Sequence, residues 1–166
     1  IRYLDILREM GADIETTITS AADAEPAGRI VARASSLTGV SIPPLDVPAV
    51  VDELPILAVA GALAGGRLEV RGASELRVKE SDRIASMVEG LSALGADIEE
   101  LEDGFRISGG RPLQGAPVRS HGDHRIAMAL SVAALTASGH TEVAGAEAVS
   151  ISLPSFFAEL DRGAGH

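Results

Sequence analysis

Apolar residues in the middle of the chain recur with the period of an α-helix. The residues at this spacing are Ile84, Met87, Val88, Leu91 and Leu94. Side chains three, four and seven positions apart share one face of a helix. Ser81 or Asp82 can cap the start of this helix, and Gly95 can end it. The pattern therefore predicts an amphipathic helix that begins just after Asp82.

Three further segments predict helices. Residues 1–10 keep a helical spacing of apolar side chains, and Gly11 suits a C-terminal cap. Two Ala-rich segments follow Asp52 and Asp123, and either aspartate can cap the N-terminus of its helix. Pro55 is compatible with a first turn, where its missing N–H has no partner to lose. Both Ala-rich segments are apolar on nearly every side, which predicts that they are buried.

Shorter segments between these helices predict β-strands. They cover residues 13–19, 28–34, 67–71, 97–101, 105–108 and 141–143. Because helices and strands alternate along the chain, the predicted fold class is α/β.

The chain also repeats itself. Residues 10–15 read Met-Gly-Ala-Asp-Ile-Glu and return as Leu-Gly-Ala-Asp-Ile-Glu at residues 94–99. The segment over residues 52–73, an Ala-rich helix followed by a strand and Gly-Ala, returns over residues 123–146. Because a helix, a strand, a loop or hairpin, a second helix and a short strand follow in the same order both times, the sequence predicts two copies of one structural unit.

Composition excludes several classes of function. The chain has 166 residues, of which 46% are hydrophobic and 2% aromatic, so the core must consist of small aliphatic side chains. A net charge of -10 argues against a general binder of nucleic acid or anionic membranes. Without cysteine, disulfide and thiolate chemistry are impossible. The longest apolar stretches, residues 55–64 and 126–137, fall short of the about 20 residues that cross a bilayer. We therefore expect a soluble, cytoplasmic protein.

Two helix starts carry an arginine where the helix dipole disfavours a cation. Arg83 ends the segment Lys-Glu-Ser-Asp-Arg at residues 79–83, and Arg125 ends Asp-His-Arg at residues 123–125. This placement is useful when an anion lies opposite, because helix N-termini bind anions and a guanidinium matches a phosphate or carboxylate. The two starts together predict a site for a phosphate or carboxylate substrate.

Each charged residue also has a plain structural explanation. Arg83 and Arg125 could be surface arginines, and Arg77 with Lys79 could belong to a solvated run of charges. Glu80 could form an ordinary ion pair, or it could be a carboxylate held near substrate for proton transfer.

The acidic and histidine positions leave similar alternatives. Asp52 and Asp123 could serve only as helix caps, while Asp52 or its neighbour Glu53 could act as a base. A lone histidine is more often structural than catalytic, yet its place beside two charged residues makes His124 a candidate pocket residue.

A metal site is not predicted. The spacing of His121, Asp123 and His124 fits no standard ligand set, and Arg125 would repel a cation. No Walker-type or dinucleotide-binding glycine motif is present either.

Three blocks of the sequence resemble a known family. They are Asp-Glu-Leu-Pro at residues 52–55, Glu-Leu-Arg-Val-Lys-Glu-Ser-Asp-Arg at residues 75–83, and Gly-Asp-His-Arg-Ile-Ala-Met at residues 122–128. In this order they resemble the C-terminal domain of the 5-enolpyruvylshikimate-3-phosphate (EPSP) synthase family, over nearly the whole chain. The related enolpyruvyl transferase that acts on a UDP-amino sugar shares the fold but lacks the second and third blocks.

The resemblance implies a fold and an incomplete architecture. The fold would be an enolpyruvyl-transferase-like, inside-out α/β domain built from repeated βαβαββ units. Residues 1–73 and 74–166 would be two copies of the unit, and a third copy and the whole N-terminal domain would be absent. Ile1, in place of Met, also indicates a piece of a longer protein. The chain alone is expected to be inactive or nearly so, because the serines, Lys and Arg of the N-terminal domain are missing.

The resemblance also implies an activity. The family transfers the enolpyruvyl group of phosphoenolpyruvate to the 5-hydroxyl of shikimate 3-phosphate, through a tetrahedral intermediate and with release of phosphate. The reaction belongs to the shikimate pathway, which leads to chorismate and the aromatic amino acids. It uses no metal or organic cofactor, so the partners would be the two substrates and the missing N-terminal domain, with no nucleic acid or membrane.

Residue roles follow from the matching motifs. Asp52 would help to remove the proton of the sugar-like hydroxyl, Glu80 would move a proton at the methylene carbon of phosphoenolpyruvate, and Lys79 would contact both reactants. The substrate-binding residues would be Lys79, Arg83, His124 and Arg125.

One position departs from the family pattern. Many members carry Lys-Thr-Phe-Pro near the end, whose Lys contacts phosphoenolpyruvate, whereas residues 151–154 here read Ile-Ser-Leu-Pro. Ile151 cannot supply that charge, although other branches of the family have a Ser-x-Pro form at this place.

The alternative hypothesis for the function of this chain is a non-catalytic binding or interaction module that retains the fold.

Overall fold

Secondary structure follows in two rounds of the same order. The computed structural model describes residues 1–20 and 27–164. The first round is α1 (Arg2–Glu9), β1 (Asp13–Ser20), β2 (Ala27–Arg33), β3 (Ser41–Ile42), α2 (Leu54–Leu63) and β4 (Arg67–Val70). The second round is α3 (Arg83–Ala93), β5 (Asp97–Leu101), β6 (Gly104–Ser108), β7 (Pro117–Arg119), α4 (His124–Ala134) and β8 (Glu142–Ala144). Short 3-10 helices lie at Val47–Ala49, Ser74–Val78 and Ala146–Ile151, and α5 (Phe156–Gly163) follows the second round as α3 follows the first.

A four-stranded sheet joins the two rounds in the order β3-β4-β6-β5. Strands β3 and β4 are parallel, and β6 runs antiparallel to both β4 and β5. Leu68 pairs with Ile107 in this sheet, and Val70 pairs with Phe105. The β1-β2 hairpin and the parallel β7-β8 pair form two separate two-stranded sheets.

Three helices occupy the centre of the molecule. α2, α3 and α4 contact one another, and the four-stranded sheet packs against α2 and α3. Glycine permits the close approach of α3 and α4, because a Cβ at Gly90 on α3 would lie only 2.7 Å from Leu130 Cδ2 on α4. Helices inside and sheets outside give the inside-out arrangement that the resemblance implied.

Most of the predicted elements are confirmed. All six predicted strands are present, with ends within one residue of the predicted ones. Asp82 caps α3 by accepting a hydrogen bond from Ala85 N, and Asp123 caps α4. The Ala-rich helices are buried as expected, with Ala58 and Ala129 at most 2% exposed. In the part of the chain that the structure describes, no helix has the length and apolarity to span a bilayer.

The prediction that Asp52 caps α2 is wrong. Glu53 occupies the N-cap position, without a side-chain hydrogen bond to the helix. The carboxylate of Asp52 instead contacts two arginines, Arg83 and Arg125. Two long-range ion pairs have therefore taken the side chain away from the local capping position.

Candidate functional site

The N-termini of α2, α3 and α4 lie next to one another, and Arg83 connects them. It is the first residue of α3, and it contacts Asp52, which precedes α2, and Asp123, which caps α4. Helix N-termini carry partial positive charge, so three of them together favour the acidic side chains that gather here. We call Asp52, Glu80, Arg83, Asp123 and Arg125 the carboxylate–arginine cluster.

Arg83 is buried, with only 1% of its side chain exposed. Its Nε donates to Asp123 Oδ2 at 2.7 Å, Nη1 to Asp52 Oδ1 at 3.0 Å, and Nη2 to Glu80 Oε2 at 2.6 Å. Burial by itself would lower the pKa of this guanidinium, but the hydrogen bond and charge of Asp123, with the other two carboxylates, outweigh it and raise the pKa. Arg83 is thus a permanent cation held inside the protein by three carboxylates.

Asp123 is the buried anion that faces it. Its Oδ1 accepts hydrogen bonds from Arg125 N at 2.8 Å and Ile126 N at 3.4 Å, and Ser81 Oγ lies 3.3 Å from Oδ2. Burial favours the protonated acid, but the hydrogen bond from Arg83 and those from the backbone outweigh burial and lower the pKa of Asp123. The carboxylate therefore stays charged at neutral pH.

Arg125 lies closer to solvent, with 32% of its side chain exposed. Its Nη1 donates to the carbonyl oxygen of Asp52 at 2.8 Å, and its Nη2 lies 3.4 Å from Asp52 Oδ2. A mainly apolar cavity of about 250 Å³ opens beside this contact. It is lined by Asp52, Glu53, Pro55, Ile56, Arg125, Met128, Ala129, Val132 and Phe156. Arg125 thus combines a partly exposed side chain with a place in the lining of this cavity.

The remaining predicted site residues lie around this cluster. Lys79 forms an ion pair with Glu75, one helical turn earlier in the chain. Glu80 contacts Arg83, yet about half of its side chain is exposed to solvent. His124 is the first residue of α4, between Asp123 and Arg125, and is partly exposed.

Arg77, in contrast, has an anchoring role. It donates to the carbonyl oxygens of Leu101 at 2.7 Å and Glu102 at 2.9 Å, and to Asp82 Oδ2 at 2.8 Å. These bonds tie the segment before α3 to the β5-β6 hairpin. Arg77 therefore fixes the segment before α3, while Glu80 and Arg83, later in the same charged segment, belong to the carboxylate–arginine cluster.

Two other positions lie outside the cluster. The side chain of His121 contacts Glu89, with 3.1 Å between Nε2 and Oε2. Asp123 instead contacts Arg83, so these two side chains do not share a site. Among residues 1–20 and 27–164, no group of three or more His, Asp or Glu side chains is arranged to hold a metal ion. Ile151 is 81% exposed at the end of a 3-10 helix and brings no charge to the cluster.

Apart from Glu80, for which an ion pair was one of the two interpretations and which does pair with Arg83, sequence reasoning missed the ion-pair partners of the arginines and of Lys79. Asp123 was expected to cap a helix, and nothing in its local sequence signalled that it also binds Arg83, 40 residues away. Glu75 carried a usable signal, since a Glu four residues before a Lys is a favourable helical pair. The predicted anion opposite Arg83 exists in this structure as carboxylates of the protein itself.

The sequence of this chain is similar to one family of known proteins over nearly its whole length. Residues 1–160 match the family described as EPSP synthase (3-phosphoshikimate 1-carboxyvinyltransferase). The 3-phosphoshikimate 1-carboxyvinyltransferase of Carboxydothermus hydrogenoformans is 53% identical over 159 residues, which are 96% of this chain and 37% of that protein. The protein of the same name from Roseiflexus sp. is 50% identical over the same share of each chain. The chain thus spans little more than a third of the length of these curated relatives.

Solved structures agree with this comparison. An EPSP synthase from Acinetobacter baumannii superposes with a TM-score of 0.90 at 42% identity, covering 97% of this chain and 38% of that one. The enolpyruvyl transferase NikO from Streptomyces tendae, at 23% identity and a TM-score of 0.69, shares the fold. The expected enolpyruvyl-transferase-like α/β fold is confirmed.

Proposed function

The chain belongs to the EPSP synthase family, and we propose that it supplies one wall of the active site of a longer enzyme. That enzyme would transfer the enolpyruvyl group of phosphoenolpyruvate to the 5-hydroxyl of shikimate 3-phosphate and release phosphate. The observation that carries the proposal is Asp52, Glu80, Arg83 and Arg125 gathered at three helix starts. We further propose that the reaction is a cytoplasmic step of the shikimate pathway.

The proposed residue roles agree with the exposure of each side chain. Asp52 and Glu80 are 44% and 51% exposed, so each carboxylate can reach a substrate atom as well as Arg83. Asp52 would accept the hydroxyl proton, and Glu80 would move a proton at the methylene carbon. Arg83 would hold both carboxylates in place, while Arg125 and Lys79 would contact the anionic substrates, with His124 beside them.

The net charge of the site supports the proposal that another part of the longer enzyme completes it. The ion pairs at the site involve three cations, Lys79, Arg83 and Arg125, and five carboxylates, Asp52, Glu53, Glu75, Glu80 and Asp123. Counting His124 as neutral, this leaves a net charge of minus two. Two phosphorylated substrates would be repelled by such a site alone. We therefore propose that another domain of the longer enzyme adds the further cations on which binding depends.

Phosphate release tests the proposal. Shikimate 3-phosphate and phosphoenolpyruvate would be supplied to this chain alone and to a chimera in which it replaces the matching segment of the C. hydrogenoformans relative. We expect activity from the chimera and none from the chain alone. Within the chimera, Asp52→Asn is expected to lower kcat by about a hundredfold to ten-thousandfold, as loss of a general base does. Asp161→Asn, an exposed aspartate on α5, is the matched control and should leave kcat unchanged.

Each other outcome has a definite meaning. Activity of the chain alone would show that the N-terminal domain is dispensable. A folded chimera without activity would contradict the transferase proposal and favour the second candidate, a non-catalytic binding module. That candidate is supported by one observation: the guanidinium nitrogens of Arg83 are all engaged by carboxylates of the protein.

A further inference from the structure

Residues 78–81 link Arg77 to Asp82, the N-cap of α3. They include Lys79 and Glu80, two of the residues proposed to act on substrate. Val78 is 81% exposed, so burial of its apolar side chain does not hold this loop against the protein. The position of the loop therefore depends on polar contacts.

The side chains of Arg77 and Asp82 close this loop. Arg77 Nη1 donates to Asp82 Oδ2 at 2.8 Å, while Asp82 Oδ1 accepts a hydrogen bond from Ala85 N at 3.0 Å and so caps α3. Each carboxylate oxygen of Asp82 thus has its own partner. We call the contact between Arg77 and Asp82 the clasp. Because it is a charge-assisted hydrogen bond, it holds the two ends of the loop together firmly.

The turn between β5 and β6 supports the clasp. Arg77 also donates to two backbone carbonyl oxygens at this turn, at 2.7 and 2.9 Å. Asp103, in the same turn, accepts a hydrogen bond from Gly72 N through Oδ2 at 2.8 Å and one from Ala73 N through its carbonyl oxygen at 2.7 Å. Residues 72–77 are therefore attached at both ends to one turn of a β-hairpin, which gives the clasp a fixed base.

The second round of the repeat forms the same local structure without a clasp. Aligned on the repeated Gly-Ala, Ser150 and Ser155 take the positions of Arg77 and Asp82. A 3-10 helix and α5 form there all the same, and the side chain of Ser155 makes no capping hydrogen bond. Since this part of the fold forms without the charged pair, the pair in the first round is available for another purpose.

We propose that Arg77 and Asp82 are positioning residues for Lys79 and Glu80. The clasp keeps the loop in one shape, with both of these side chains against their ion-pair partners. An open loop would let Lys79 and Glu80 shift, and a displacement of about 1 Å can cost about a hundredfold in rate. The consequence for catalysis rests on the transferase function proposed above, whereas the clasp itself does not.

Cleavage by a protease that cuts only after lysine tests the clasp. Lys79 is the only lysine among the 166 residues, so such a protease can cut this chain only within the loop, into residues 1–79 and 80–166. We expect Arg77→Gln to be cut at least about tenfold faster than the wild type, because loss of charge-assisted hydrogen bonds makes opening more frequent. Mass spectrometry of the two products over time gives the rates. Equal rates in the two proteins would overturn the proposal.

Two further variants separate the clasp from general stability. Asp82→Asn retains a good N-cap for α3 but presents an amide to Arg77 in place of a carboxylate, so it should also be cut faster. Arg106→Gln is the matched control. Arg106 has the same exposed fraction as Arg77, 27%, and also pairs with two carboxylates, Glu69 and Glu99, but all three lie within the four-stranded sheet. Arg106→Gln should be cut at the wild-type rate. If it is cut as fast as Arg77→Gln, cleavage reports general stability and the proposal is overturned.

The chimera with the C. hydrogenoformans relative measures the consequence for catalysis. Arg77→Gln and Asp82→Asn should each lower kcat by about tenfold to a hundredfold and raise the KM for both substrates, because Lys79 is displaced. A mere loss of folded enzyme would lower kcat and leave KM unchanged. The double variant should lose no more activity than Arg77→Gln, since the two changes break one contact.

The remaining outcomes distinguish this inference from the proposed function. Additive losses in the double variant, or an unchanged KM in both single variants, would overturn the positioning role of the clasp. A wild-type chimera without activity would contradict the transferase proposal, and the cleavage rates would then decide on the clasp by themselves.

Discussion

Asp123 Oδ2 accepts a hydrogen bond from Arg83 Nε at 2.7 Å, and both side chains are buried. The other oxygen of the same carboxylate caps α4. Arg83 in turn contacts the two proposed catalytic carboxylates, Asp52 and Glu80. One buried aspartate therefore fixes a helix start and, through Arg83, the position of both proposed proton-transfer groups.

We expect Asp123→Ala to be strongly destabilising. It removes one partner of a buried ion pair, which typically costs about 3–5 kcal/mol, and it also removes a helix cap. The free energy of unfolding from urea denaturation measures the loss. Asp13→Ala is the control, because the Asp13–Arg33 pair is about half-exposed and such pairs contribute about 1 kcal/mol or less. Equal losses in the two variants would contradict the structural role of the Asp123–Arg83 pair.

The lowered pKa of Asp123 predicts how stability depends on pH. The unfolded chain takes up the proton at a higher pH than the folded protein does. The contribution of this group is therefore fully present above the ordinary aspartate pKa of about 3.9 and is lost as the pH falls through the lower folded value. The difference in unfolding free energy between wild type and Asp123→Asn should be largest at neutral pH and shrink in acid. A difference that is constant with pH would contradict this expectation.

Local signals predicted most of the fold. Helical spacing and the caps Asp82 and Asp123 act within a few residues, so the sequence contains them directly. Strands β3 and β7 were missed because they have two and three residues and exist only through pairing with β4 and β8. Elements that depend on a distant partner have no local pattern.

The site shows the same division between local and distant contacts. The motifs identified Arg83 and Arg125 as a pair of helix-start arginines, and the structure brings both to Asp52. Asp52 was wrongly predicted to cap α2 because its ion pairs cross 31 and 73 residues of sequence. The roles of the cluster residues in catalysis remain predictions.

Helix packing gives a third prediction. Gly90→Ala places a Cβ 2.7 Å from Leu130 Cδ2 between α3 and α4. Alanine in a helix is normally favoured over glycine by about 1 kcal/mol, but overpacking a core costs about 1–3 kcal/mol. We expect a net loss of thermal stability. Gly163→Ala at the end of α5 meets no heavy atom within 4 Å and is the matched control, with stability unchanged or raised. A stabilised Gly90→Ala variant would show that α3 and α4 are less closely packed.

Arg125 gives the sharpest functional prediction, because it is the more exposed of the two site arginines. In the active chimera, Arg125→Gln removes a cation from the lining of the cavity but leaves the buried Arg83–Asp123 pair intact. The KM for phosphoenolpyruvate should rise about tenfold to a hundredfold, the loss expected for a charge-assisted contact of about 1.4–3 kcal/mol. The melting temperature should change little. Arg67→Gln, at an exposed position at the start of β4, controls for loss of charge and should leave KM unchanged. If Arg125→Gln instead unfolds the protein and KM is unaffected in the folded fraction, the side chain serves only to position Asp52.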